Sequence, residues 1–285
     1  MELTGPMYLA LAIASSAAMT LFLKGFRADG TNRYAIILGN YITCVILGFF
    51  LLKEKASVLH PAPSTLLFGA LCGILFVFTL VMMQFSIEKN GAILSSAFSK
   101  LGLIIPLIIS IAFFGEKPKI VQYIGIAVVL AAVLIINGKK EEGQQVHPLL
   151  LILVLLGGGF ADGMAKIFNQ FGDLSQDDLY ILTVFLTAGV ITLVLLFLEY
   201  RKTGKIGRLK DYLAGILVGI PNYFSASLLL RSLSTVPAFI AYTVFSVGTI
   251  LFITLVSMLV FKEKPTKYQW IGIALIVAAL VLLNL

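Results

Sequence analysis

Charge is scarce in this chain. Asp, Glu, Lys and Arg make up 12% of its 285 residues, about half of the roughly 25% usual in water-soluble domains, and the mean hydropathy is +1.02. So little charge cannot clothe a globule in solvated side chains, and the soluble classes are excluded. Cysteine is nearly absent too: Cys44 and Cys72 both fall inside apolar runs and offer no disulfide framework. The two histidines, His60 and His147, stand beside prolines, far from any Cys, Asp or Glu spacing suited to a metal. No Ser/His/Asp or Cys/His set can therefore form within the apolar stretches, and the expectation is a non-enzyme with no metal and no cofactor. The net charge of +7 comes from Lys and Arg at the ends of apolar runs, without a long basic tract. Contact with lipid headgroups accounts for this better than nucleic acid, which is not expected as a partner.

Long apolar runs are what the chain has in abundance. Ten recur at near-regular spacing, over about 6–23, 34–52, 65–86, 92–114, 120–137, 148–169, 179–198, 212–230, 236–261 and 268–284. Each is long enough to cross a hydrocarbon core as a helix. A β-barrel strand would alternate apolar and polar residues, whereas Leu149 to Leu156 is continuously apolar. The reading is an all-α integral membrane protein of ten transmembrane helices, multi-pass in the cell membrane (the cytoplasmic membrane if prokaryotic). Met1-Glu2-Leu3-Thr4-Gly5 lacks the basic start of a signal peptide, so the first span is expected to be retained.

The sequence matches itself at an offset of 147, where residues 114–137 and 261–284 share 12 of 24 positions, including Glu116/Glu263, Pro118/Pro265 and Gly125/Gly272. Apolar composition alone would not place Glu-Lys-Pro and Gln together in both copies. At offset 146, Gly69-x-x-x-Gly73 meets Gly215-x-x-x-Gly219, and at 142 Lys24 meets Lys166. The chain thus divides into two five-helix halves, 1–140 and 146–285. Because five is odd, the halves are expected to enter the membrane from opposite sides as inverted repeats, an architecture suited to alternating access.

The Gly115-Glu116-Lys117-Pro118 turn, the small-residue fifth helix with Gly125, Ala131 and Ala132, and the repetition of that block at the C-terminus resemble the EamA-type domain of the drug/metabolite transporter superfamily. Two copies cover essentially the whole chain. The resemblance implies a ten-helix basket around a central cavity and secondary transport of small organic solutes such as amino acids, sugar-type metabolites or drugs. The second copy departs from the pattern in carrying Lys262 where the first has Gly115.

Duplication sorts the polar residues. Those present in both halves are expected to serve architecture, and those present once are better candidates for substrate chemistry. Glu116 and Glu263, each two residues before Pro118 or Pro265, are expected at the positive end of a helix dipole in a structural or gating role. Asp162 aligns with the neutral Thr20 and falls about 14 residues into a span of about 22, within the glycine-rich run 157–163. An ionisable group there is costly unless paired or hydrated. It is a candidate cavity-lining acceptor for a proton or a cationic group; the alternative is an i,i+4 ion pair with Lys166.

Lys100, aligned with Val247 and following Ser96 and Ser99, is a candidate for holding a substrate carboxylate or phosphate, or for a salt bridge with Asp162. Tyr242 and Ser246 match Ser95 and Ser99 in position and suggest a shared cavity wall. Pro221-Asn222-Tyr223 interrupts the eighth span, a broken-helix feature or a simple kink. Asn40 is an interhelical hydrogen bond or a ligand contact. Asp177-Asp178 reads as a solvated helix start.

Lys and Arg number 14 in the loops on one side and 5 on the other, which puts both termini outside; the family resemblance leans to both termini inside. The expected activity is transport of a small organic solute, with protons or a second solute as the coupling partner. A lipid flippase or non-catalytic partner subunit, and a membrane enzyme acting on a lipid-linked substrate, are the competing readings.

Overall fold

The computed structural model describes residues 4–25, 32–53, 55–90, 95, 98–99, 101–137, 147–260 and 267–283. Among them, ten helices appear: α1 (Gly5–Gly25), α2 (Arg33–Leu51), α3 (Pro63–Asn90), α4 (Ile104–Ala112), α5 (Ile120–Asn137), α6 (Pro148–Phe171), α7 (Asp177–Thr203), α8 (Leu209–Ser232), α9 (Ala238–Leu259) and α10 (Lys267–Leu283). Single 3-10 turns at Lys55–Val58 and Leu174–Gln176 precede α3 and α7. Seven of the ten are long and apolar enough to cross a membrane, and α5 and α10 are shorter apolar helices.

The ends follow from local chemistry. Asn32 accepts the Ala35 amide at 3.2 Å and starts α2. Asp177 and Asp178 occupy the first turn of α7 and Arg201 and Lys202 the last, matching the helix dipole. Gly204, at φ +70, ends that helix, its amide bonding the Tyr200 carbonyl at 2.8 Å.

Two expectations about continuity are corrected. The run 92–114 is not one described helix: a turn at Gly102–Leu103 precedes α4, and the Gly102 carbonyl accepts the Ile105 amide at 2.9 Å. Conversely, α8 runs through Pro221 unbroken.

Packing divides the chain into two compact units, Met1–Val77 with Ile167–Ser234 and Phe78–Lys166 with Thr235–Leu285. Each draws on both halves of the sequence.

In the first unit α8 packs on α1 and α2, and α2 also on α7. Its α2/α8 and α3/α7 interfaces are built alike. A Cβ at Gly215 would meet the Ile36 carbonyl, and one at Gly219 the Asn40 carbonyl and Thr43 Cβ, both at 2.6 Å. A Cβ at Gly69 would lie 2.8 Å from Thr183 Cβ and 3.2 Å from the Tyr180 carbonyl, and one at Gly73 2.8 Å from Thr187 Cβ, against the Val184 carbonyl. The pairs Ile36/Tyr180, Asn40/Val184 and Thr43/Thr187 share an offset of 144, so the repeated Gly-x-x-x-Gly stripes meet repeated surfaces. Between apolar helices in lipid, the drive to associate is close packing, and glycine lets backbones touch.

In the second unit α5 packs on α10 and α4 on α9. Leu103, Leu107, Val129, Val133, Val247 and Ile276 form its apolar core. Gln122 near the start of α5 donates to the Leu283 carbonyl at the end of α10 at 3.2 Å, so these two repeated helices run antiparallel.

Candidate functional site

The face that α6 turns outward is apolar for most of its length. Leu149, Ile152, Leu156 and Phe160 are exposed at i,i+3/i+4 spacing, the stripe that lipid would cover. Asp162 is also exposed, but it lies two residues past Phe160, about 200° round the helix. Its neighbours Ala161, Gly163 and Met164 are buried. The glycines before it serve helix approach. A Cβ at Gly157 would sit 2.7 Å from Thr79 Oγ1 of α3, and Gly159 abuts the Gly102 carbonyl and Ile105 at the break before α4.

Tyr242, one turn into α9 and 2% exposed, donates its hydroxyl to the Asp162 main-chain carbonyl at 2.6 Å. Ser246, a turn further on, is half-buried.

Lys166, one turn past Asp162, carries its charge elsewhere: Nζ lies 2.9 Å from Glu116 Oε1 and 5.7 Å from the centre of the Phe114 ring. The side chains are 9% and 14% exposed. Glu116 does meet the positive end of a helix, though not of the one that follows it. Its carboxylate accepts the Ala238 and Phe239 amides, at 3.0 and 3.2 Å, at the start of α9. The first turn of α5 is served by Gln122, which accepts the Lys119 amide at 2.9 Å; Pro118 is buried just before it. Gly115 has φ +68, with nothing within 4 Å of a Cβ placed there, so backbone conformation is what favours glycine at that turn.

In the first unit, Asn222 donates to Asn40 Oδ1 at 3.1 Å, and Cys44 Sγ lies 3.3 Å from the Gly219 carbonyl. Asn40 is 8% exposed. Tyr223, 2% exposed, sits among aromatic rings, with the Phe185 and Phe224 centroids at 6.2 and 5.5 Å. Asp177 and Asp178 are not a solvated pair: Asp178 is 5% exposed, and Arg231 at the end of α8 bonds Asp178 and lies 3.7 Å from Asp177. A separation of 53 residues in sequence left no local signal for that contact.

Ser99 is half-buried. Ser95, buried, bonds Ser86 at 2.7 Å, which also accepts from Asn90 at 3.2 Å. Lys100, Ser96, Glu263 and Pro265 lie outside the described residues.

An uncharacterized protein of Haemophilus influenzae is 26% identical over 288 residues, 95% of each chain. A protein of known crystal structure superposes with a TM-score of 0.74 over 98% of each chain at 12% identity, a likeness of fold alone. Residues 3–138 match the EamA-like transporter family, and residues 149–285 match it again. The chain is therefore a multi-pass membrane protein of the EamA-like transporter family, within the drug/metabolite transporter superfamily, carrying two copies of the domain.

Proposed function

We propose that this chain is a secondary transporter that moves a small organic solute across the cell membrane by alternating access, its halves 1–140 and 146–285 acting as inverted repeats. The observation that carries the reading is the exposure of Asp162 on the side of α6 turned away from the apolar stripe. An ionisable group midway along a membrane helix faces a hydrated cavity far more often than lipid. The repeated stripes of α3 and α8 and the antiparallel pairing of α5 with α10 support an inverted duplication.

In this reading Asp162 accepts a proton or a cationic group of an amino acid, sugar-type metabolite or drug. Tyr242 fixes the backbone beneath it, and Ser246 extends the polar wall. Asn40 and Asn222 supply a neutral amide pair, with Tyr223 packed behind. Lys100, with Ser96 and Ser99, remains the candidate for an anionic substrate group, and Lys166 belongs to the charged tie with Glu116.

The test is untargeted mass spectrometry of metabolites inside and outside cells expressing wild type, Asp162→Asn, Lys100→Ala or empty vector at equal levels. One compound class should shift with wild type and return to the vector level with Asp162→Asn. A shift that survives in both variants leaves transport standing and removes these site assignments; the absence of any shift moves the flippase or partner-subunit reading ahead.

A further inference from the structure

Resting on the reading of Asp162 as a cavity-lining carboxylate, we infer that Glu116 is a gate residue that closes the crevice between α6 and α9 at the end next to Asp162, leaving access from the other end.

Three donors from two elements converge on this one carboxylate. Lys166 Nζ and the Ala238 amide share Oε1 at 2.9 and 3.0 Å, and the Phe239 amide takes Oε2 at 3.2 Å. The amides of a helix's first turn have no partner inside the helix, and the dipole favours an anion there. Lys166, buried near the end of α6, needs an opposite charge for the same reason any buried ammonium does. Glu116 answers both needs at once and thereby ties the last turns of α6 to the first turn of α9.

The next contact runs in register with the first. Asp162 precedes Lys166 by one turn and Tyr242 follows Ala238 by one turn, and the Tyr242 hydroxyl spans them at 2.6 Å. Two ties one turn apart thus close antiparallel helices, and next to the second the Asp162 side chain is exposed. The tie is polar and reversible, unlike a sealed apolar seam. Releasing it strands a buried cation and two amides unless water enters to meet them, so opening and hydration are one event.

The experiment reads access to a cysteine at Ser246 in a Cys44→Ser, Cys72→Ala background, using a membrane-impermeant methanethiosulfonate on right-side-out and inside-out vesicles. With Glu116 intact, labelling should come predominantly from one side. Glu116→Gln, nearly isosteric, and Lys166→Met, which keeps the helix cap but removes the cation, should each raise labelling from the protected side by roughly tenfold, the scale of a modest coupling between states. The exchange Glu116→Lys with Lys166→Glu restores an ion pair but offers the α9 amides no acceptor at position 116, and should stay open to both sides. Melting temperatures of all variants are measured in parallel.

A one-sided pattern unchanged in folded Glu116→Gln and Lys166→Met overturns the gate while leaving the Asp162 reading intact. Should the cysteine resist labelling from both sides in every variant, the crevice itself is refuted, and the gate with it.

Discussion

The two glycine stripes of the first unit and the α6/α9 contact of the second join helices by opposite means. At α2/α8 and α3/α7 the glycines bring main-chain and Cβ atoms of the facing helices into contact and leave no room for a methyl group. At α6/α9 a carboxylate, an ammonium and a hydroxyl do the joining. A steric fit is all or nothing, because a small displacement forfeits the dispersion that holds it. A polar tie has a second state available, since water can replace each partner. In the proposed reading, the difference separates the fixed parts of this chain from the moving ones.

The comparison breaks most severely at the glycines. Gly219→Leu and its repeat counterpart Gly73→Leu should both abolish a monodisperse detergent-purified protein, each by about 3 kcal/mol or more, because overpacking here presses on main-chain atoms that cannot turn aside. Fluorescence-detected size exclusion checks this; a normal profile for either one would show that the two interfaces are not equivalent. A smaller effect comes from the first unit's own charged contact. Arg231→Met leaves Asp178 buried without its cation and should cost a few kcal/mol, seen as a fall in melting temperature that Asp178→Asn in the same protein partly restores. No restoration would locate the loss in the arginine's packing. The smallest is Tyr242→Phe, which removes one hydrogen bond worth about 1 kcal/mol. It should barely move the melting temperature yet weaken transport through Asp162, and an equal loss of both would place Tyr242 with the fixed parts.

Much of the fold was legible because a membrane imposes length and polarity on each span, so nine of the ten apolar runs mark helices to within about five residues, and the run 92–114 is the exception. The break at Gly102 escaped this logic because length and hydropathy do not register it; its local cause is Pro106, which has no amide to offer the Gly102 carbonyl, so that carbonyl accepts from Ile105 instead. The candidate site was legible in part. Asp162 stood out by its cost in lipid, but Lys166 one turn away suggested a local pair, and nothing within a turn or two of sequence pointed to Glu116. That carboxylate was recognisable as a helix cap, yet the helix it caps begins 122 residues later. Arg231 with Asp178 and Asn222 with Asn40 are likewise contacts of tertiary packing, which periodicity does not encode.

The Tyr242 hydroxyl grips a peptide carbonyl and not a side chain. Whatever residue occupies position 162, the carbonyl stays, and so does the tie. In the reading proposed above, the cargo-facing group at 162 can therefore be exchanged by a single substitution while the tie beneath it stays, which lets selectivity change apart from architecture.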